Sequence, residues 1–504
     1  MAKSKRRTLN AERRTLPVIP TLAFRHLLVN KGRSLFLLLG YGLGVGVMIV
    51  LLSVGTAMLD QSRDVALVGG GEVTVLPQGI DVEAMRTGGV SGMFFGIDRA
   101  RFLTRQLLGG PRHADLVRAV SPVIENKLVY LRHGKTVVAA RAGADIPSRA
   151  EAVGARIHVL DGSWRDTLAD SAWMLPTLEQ LYHELDRFHL PPVADSSWGE
   201  WHYFNVAAGP HEWWYFTYLV GGQVLRGRWG GQLLISHRKP DGSYERFTAT
   251  VPAAAITLDT LKADLMLGPS AVQQRSGVYS LTARATGPAG PLTAELTLIP
   301  DRNRYFPPAE LGEGRLPSGY VVPALSGRAS GKICVAGRCE LLRDAPAYHD
   351  HNWGVWRAVT WDWGAARGRS FSVLYGAVYP PEDTAVAANT GAPRILVALV
   401  DSLGVRQILR ARAIVYSGTK TLSARYRVRA PAGFSFVAAR DADTVRVSAR
   451  VTDFQATGLT AAGPETRFLQ MRGSFVLEGK VAGEVVRDTG EGFFETYVSV
   501  SGER

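Results

Sequence analysis

Cysteine is nearly absent from this chain: Cys334 and Cys339 are the only two in 504 residues. They flank Val335-Ala336-Gly337-Arg338, which reads as a hairpin loop, so they can face each other and close a short disulfide. A zinc site that combines them with His349 and His351 matches no common finger spacing, and an oxidising compartment disfavours free thiolates, so no metal is expected. Long apolar runs are equally scarce. After residue 59 there is no second stretch of ~20 apolar residues, so a transport pathway cannot be built from this chain alone. A Gly-x-x-x-x-Gly-Lys-Ser/Thr phosphate loop is missing, which argues against ATP hydrolysis by the chain itself. Acidic residues are rare at the amino terminus, where Lys3, Lys5, Arg6, Arg7, Arg13, Arg14, Arg25, Lys31 and Arg33 are opposed only by Glu12. The net charge of +13 is concentrated there, the remainder is only mildly basic, and no nucleic-acid partner is expected.

The one long apolar run is Leu35 to Leu59, which has no charged side chain and is long enough to span ~30 Å of hydrocarbon. The basic cluster before it places residues 1–34 in the cytoplasm by the positive-inside rule. The expectation is a single-pass anchor at 35–59 in the bacterial inner membrane, with everything after Asp60 in the periplasm. A cleaved signal peptide is the rival, since Gly55 and Ala57 are small enough for a processing site, but the apolar core and the leading region are both long for a signal. Gly40, Gly42, Gly44 and Gly46 form two overlapping Gly-xxx-Gly pairs, which let a second helix approach closely; glycine is also simply common in membrane helices.

The chain is too long for one ordinary domain, and a hydrophobic fraction of 46% supports a packed core. Residues 60–160 read as a small α+β region: a strand at 72–76, a helix from Asp98 to Leu108 stopped by Gly109-Gly110-Pro111, and strands at 127–131 and 136–141. Ser91 to Gly96 reads as a loop. In the linker 161–197, Leu175, Leu178, Leu181, Leu185 and Phe188 recur at helical spacing and should pack on the following domain. From Trp198 onward the pattern changes to short alternating segments. Leu233–His237 and Tyr244–Val251 flank the turn Pro240-Asp241-Gly242, and Leu281–Ala285 and Leu292–Leu298 flank Gly287 to Pro291. Ala424–Arg429 and Val445–Val451 alternate in the same way. Many short strands and few helices imply sheets or barrels.

Three stretches place ionisable groups among large aromatics. Pro210-His211-Glu212-Trp213-Trp214-Tyr215-Phe216-Thr217-Tyr218 reads as a strand that is aromatic on both faces, so it should be buried on both, and Glu212 must then be paired or held neutral. Tyr348-His349-Asp350-His351-Asn352-Trp353-Gly354 and Trp361-Asp362-Trp363 repeat the theme. With the closing Gly490-Glu491-Gly492-Phe493-Phe494-Glu495, these motifs resemble the AttH-type lipocalin-like proteins, which include the carotenoid hydratases (hydroxyneurosporene synthases). The resemblance implies a mainly β chain of two lipocalin-like domains in tandem, 198–355 and 356–504. Residues 21–35, the glycine-bearing helix, Gly71–Pro77 and Val120–Val123 resemble the amino-terminal part of MacB-type ABC-transporter permeases, which implies a permease and an ATPase as partners.

A barrel of this kind holds its ligand in the mouth or lumen, and aromatic walls suit an apolar lipid or isoprenoid. Any one of Trp213, Trp214, Trp353, Trp361 and Trp363 is as readily a core residue, but buried acids need a reason. The hydratase resemblance implies protonation of an isoprenoid double bond followed by capture of the cation by water, without a cofactor. Asp350 or Glu212 would supply the proton, Trp353 or Trp214 an aromatic face, His351 an orienting contact, and Tyr375 or Tyr379 a hydrogen bond. The catalytic candidates are Asp350, His351, Trp353 and Tyr379; the ligand-binding ones are Glu212, Trp214, Tyr215, Trp361, Asp362 and Tyr375. The family places an acid shortly after a tyrosine on the strand downstream of its His-x-Trp, whereas here Tyr379 runs into Pro380-Pro381 and Tyr375 into Gly376-Ala377. His349 and His351 share a strand face as metal ligands can, with a structural histidine pair as the expectation. Three readings follow: a membrane-anchored binder of an apolar lipid or isoprenoid beside an ABC exporter, a hydratase-like enzyme, and a non-catalytic adaptor.

Overall fold

The computed structural model describes residues 25, 29–68, 73, 75, 97–154, 164–168, 170, 182–183, 185–189, 191, 194–311, 318–356, 359–379, 395–418, 420–421, 429–457 and 466–499. Most of the expected strand at 72–76, the loop at 91–96, most of the strand at 424–429 and the leucines at 175, 178 and 181 lie outside them. The chain divides into two compact units, residues 1–97 with 121–166 and residues 98–120 with 167–504.

In the first unit, helix α1 (Lys31–Val68) includes a 26-residue stretch, Lys31–Thr56, that is long and apolar enough to cross a membrane. At 1.5 Å per residue it reaches about 39 Å, more than a hydrocarbon core requires. Its side chains are exposed to whatever surrounds the protein, as an anchor or a signal sequence needs. A two-stranded hairpin, Ile124–His133 with Thr136–Ala144, belongs to the same unit.

The second unit holds two closed barrels of eight antiparallel strands each. The first comprises β1 (Trp198–Gly209), β2 (Glu212–Gln223), β3 (Arg228–Arg238), β4 (Tyr244–Pro252), β5 (Val278–Gly287), β6 (Gly290–Pro300), β7 (Ser318–Val335) and β8 (Arg338–Val355). Each strand pairs with the next in sequence, and β8 returns to pair with β1 from Ala347–Val206 to Val355–Trp198. The second barrel repeats this plan with β9 (Thr360–Gly368), β10 (Ser372–Tyr379), β11 (Ile395–Asp401), β12 (Gly404–Ala411), β13 (Gly433–Arg440), β14 (Asp443–Thr457), β15 (Thr466–Val481) and β16 (Glu484–Ser499), closing where β16 pairs with β9. The turn Pro240-Asp241-Gly242 joins β3 to β4, with Gly242 at a φ of 86° that a side chain would oppose. Cys334 and Cys339 lie directly opposite each other across the β7–β8 turn and are joined as a disulfide.

Strand alternation decides which residues meet. On β2, Trp214, Phe216, Tyr218 and Val220 enter the first barrel's core, while Trp213 and Tyr215 point the other way. The strand is buried on both faces, as its composition demands, because the second face packs against the second barrel. That layer between the barrels joins Tyr203, Trp213, Tyr215, Tyr320 and Tyr348 to Trp363, Leu374, Leu396 and Phe493. Polar latches hold it at the rim: Arg304 donates to the carbonyls of Val400 and Ser370, both at 2.9 Å, and Arg238 pairs with Asp453. Trp213 lies under two cations from the two barrels, Arg238 at 5.2 Å and Arg472 at 4.8 Å. Helix α2 (Ile97–Gly109) packs Phe102 against Tyr305. Tyr182, Leu185 and Phe188 enter the first barrel's core, the docking expected of that periodic segment.

Candidate functional site

Adjacent residues on a strand point to opposite sides, so the motif 348–353 on β8 serves two places at once. His349, His351 and Trp353 face the interior of the first barrel; Tyr348, Asp350 and Asn352 face the layer between the barrels. The sequence-derived candidates are thereby distributed over four places. His351 and Trp353 lie in the first barrel. Asp350, Tyr215 and Trp361 belong to the inter-barrel layer. Glu212 and Trp214 meet His237, with Glu212 2.7 Å from the His237 Nε2 and Trp214 stacked on that imidazole at 3.6 Å. Asp362, Tyr375 and Tyr379 come together in the second barrel, where Asp362 accepts hydrogen bonds from Tyr379 (2.8 Å), Tyr416 (2.7 Å) and Thr496 (2.6 Å). Asp350 and His351 are separated by the sheet itself, so His351 does not orient Asp350.

The inter-barrel layer holds two carboxyl groups, Asp350 buried and Glu495 half-buried. Asp350 accepts from the Tyr348 hydroxyl and the Asn352 amide, each at 2.7 Å. Burial pushes its carboxyl well above the usual range, against the Tyr348 bond, and the nearby Glu495 adds to the rise. Glu495, on β16, sits opposite Gln470 and Trp363 on the flanking strands. It accepts from the Trp361 indole N–H at 3.0 Å and the Gln470 amide at 3.3 Å. Burial pushes Glu495 up to about 7, which those two neutral donors only partly offset.

The first barrel holds a second cluster, centred on Asp186, which the segment at 182–189 inserts among the strands. One Asp186 oxygen, Oδ2, is 2.8 Å from His349 Nε2 and 3.4 Å from His202 Nδ1; the other, Oδ1, is 2.8 Å from His351 Nδ1. His351 Nε2 continues to Glu200 at 2.9 Å, and Glu200 also receives the His189 backbone N–H at 2.7 Å. Asp186, His202, His349 and His351 are wholly inaccessible to solvent. Burial alone would strip His351 of its proton, but hydrogen bonds to two carboxylates push it up to about 9. Burial dominates at His202 and pushes it down to about 4. Burial also opposes ionisation of Asp186, and the imidazoles around it, His202 and His349 foremost, more than reverse this.

Trp353 stacks on His189 at 3.7 Å, closing the cluster. Its indole lies over Gly319, the residue opposite on β7, and a Cβ there would come within 2.4 Å of the ring. Gly319→Ala should displace Trp353 from His189 and destabilise the first barrel by about 1–3 kcal/mol. A thermal unfolding scan followed by tryptophan fluorescence checks this; an unchanged midpoint contradicts it.

Sequence reading missed Asp186, Glu200, His202, Gln470, Tyr416 and Thr496, and it met Glu495 only as the end of the closing motif, without a role. One signal was available: Glu200-x-His202 has the same alternate spacing as His349-x-His351, and both pairs lie on strands that turn out to be neighbours. Asp186 sits in a helical pattern read only for its leucines and phenylalanine.

No protein-family model matches the chain, and no curated protein does. Solved structures similar to it include an AttH from Nitrosomonas europaea, 16% identical over 60% of this chain and 93% of that one, with a TM-score of 0.42. Kievitone hydratase from Nectria haematococca is 13% identical over 60% of this chain and 89% of that one, with a TM-score of 0.40. CghA is 14% identical over 63% and 95%, with a TM-score of 0.42. At this identity and overlap these neighbours assign no residue a role.

Proposed function

We propose that this protein binds an apolar, isoprenoid-like ligand in the aromatic layer between its barrels and hydrates a carbon–carbon double bond there, with Glu495 as the acid. The observation behind this reading is a half-buried carboxyl group in an aromatic layer whose hydrogen-bond donors, Trp361 and Gln470, are both neutral. A group poised near neutrality can give up a proton and take it back. The proton leaves the Glu495 carboxyl for one alkene carbon, and the other carbon becomes a tertiary cation. A water oxygen bonds to that carbon, and its surplus proton returns to the Glu495 carboxylate. Aromatic faces such as those of Tyr203, Trp361 and Phe493 suit the cationic intermediate. Ligand entry requires these packed rings to part.

On the same reading α1 is an uncleaved anchor in a bacterial inner membrane, with the basic tail cytoplasmic, the barrels periplasmic, and an ABC exporter's permease and ATPase alongside. The basic residues before α1 support that orientation, and the Cys334–Cys339 disulfide suits an oxidising compartment.

The test uses the full chain in detergent, incubated with a linear carotenoid in heavy-oxygen water. Labelled alcohol is expected, reduced roughly 100-fold or more in Glu495→Gln, the scale of a lost general acid. If the wild type incorporates no label, and solvent extracts of the purified protein contain no enriched apolar molecule, both chemistry and binding are excluded. Ligand enrichment without label leaves a binding protein, and copurifying transporter subunits address the exporter.

A further inference from the structure

We propose that Asp186, His202 and His349 bind a divalent transition-metal ion of the zinc class inside the first barrel. Each offers one ligand atom, and the three atoms lie within 4.8 Å of one another. The Asp186 Oδ2 is 2.8 Å from His349 Nε2 and 3.4 Å from His202 Nδ1. Bonds of about 2.1 Å to imidazole nitrogen and carboxylate oxygen put neighbouring ligand atoms roughly 3.0 Å apart in an octahedron and roughly 3.4 Å apart in a tetrahedron. The two spacings that involve Asp186 reach either geometry with shifts of roughly half an ångström or less, and the two imidazole nitrogens lie within 4.8 Å of each other.

The surroundings are those of a ligand set. His349 Nδ1 is 3.0 Å from the Tyr203 carbonyl oxygen, which can only accept, so that nitrogen carries the hydrogen and Nε2 is turned toward Asp186. The second Asp186 oxygen is held by His351, and His351 in turn by Glu200, so the carboxylate is fixed in orientation. With both nitrogens committed to carboxylates, His351 supports the site and is not a ligand to it. Phe204 stacks on His349 at 4.0 Å and Phe188 packs on His202 at 5.0 Å, giving the dry apolar wall that strengthens ligation.

His202 decides between a metal and a purely protonic network. An imidazolium at His349 donating to Asp186 accounts for that pair without any ion. It leaves His202 poorly satisfied: its side chain is completely buried, Nδ1 lies 3.4 Å from the Asp186 oxygen without the alignment of a hydrogen bond, and Nε2 has no hydrogen-bond partner. A buried imidazole is seldom left with both nitrogens unsatisfied. An ion shared by Asp186, His202 and His349 satisfies it, and three protein ligands leave a position open for a further one. This inference stands apart from the chemistry proposed at Glu495.

The test takes the full chain without a polyhistidine tag, in detergent, stripped with chelator, dialysed, and titrated with zinc and with cobalt(II). The expected result is one tightly held equivalent of either ion, visible d–d absorption of the cobalt form, and a raised unfolding midpoint on loading. His202→Gln and His349→Gln should each weaken binding by roughly 100-fold or more, since even loss of an outer-shell partner costs 10–100-fold. Stripped wild-type protein that takes up less than about a tenth of an equivalent overturns the proposal, and that measurement needs no variant to fold. Undiminished affinity in a folded His202→Gln variant, checked by far-ultraviolet circular dichroism, overturns it as well.

Discussion

Asp186→Asn is expected to lower the unfolding midpoint of the first barrel by roughly 10 °C. Among the described residues Asp186 is the only acid that touches three imidazoles, His349 and His351 at 2.8 Å and His202 at 3.4 Å, in a place from which solvent is excluded. Removing one partner of a buried charge network leaves the others uncompensated, which costs about 3–5 kcal/mol. For a domain of this size each kcal/mol moves the midpoint by about 2–4 °C. Asparagine preserves the shape of aspartate, so the loss measures charge and hydrogen bonding more than packing. Differential scanning calorimetry or tryptophan fluorescence during heating gives the midpoint, and a drop of less than about 2 °C shows the network to be dispensable. The cost arises from charge left behind, so replacing Asp186 and its partners together by apolar residues of similar volume should be milder than the single change.

The second large effect is on pH dependence, through Glu495. Its carboxyl has an ordinary value of 4.5 and is pushed up to about 7 by burial in the inter-barrel layer. The folded chain therefore holds this proton more tightly than the unfolded chain does. The resulting stabilisation is fully present below pH 4.5 and is lost as pH rises through about 7. A shift of this size corresponds to a decline on the order of 3 kcal/mol across that interval. Glu495→Gln carries the neutral form permanently and should flatten this part of the stability profile, being more stable than the wild type at pH 8 and similar to it at pH 5. Unfolding midpoints measured every half unit from pH 5 to 8.5 reveal the difference. Parallel profiles for the two proteins would place the titration elsewhere.

Most of the architecture was legible because it is written in local patterns. Alternation over 212–218 with aromatics on both faces demanded burial on both, and the two-barrel arrangement supplies it. Turns at 240–242 and 287–290 fall where glycine and proline place them, and the hairpin carrying Cys334 and Cys339 brings them opposite each other. The candidate sites were less legible because they are made by pairings between distant strands. Asp350 and His351 look like one constellation on paper, yet the same alternation that reveals a strand sends them to different sides of it. Glu495 owes its character to Trp361 and Gln470, neither close to it in sequence. Asp186 is one acid in a helical stretch, and only the fold sets it beneath three histidines from two strands.

Counting only the eight barrel strands, seven of the eight ladders of the first barrel join neighbours in chain order, and the exception is β8 with β1. Glu200 and His202 lie on one side of that exceptional ladder and His349 and His351 on the other, with His202 directly opposite His351. The histidine and carboxylate cluster is thus a clasp at the place where the ring shuts. A growing chain exposes the first half of the clasp some 150 residues before the second half arrives, at a synthesis rate of about 5–20 residues per second. Closure of the first ring therefore coincides with the moment at which protons, or an ion, must be gathered from the surrounding medium, and the composition of the compartment enters the folding of the first barrel as its strands close.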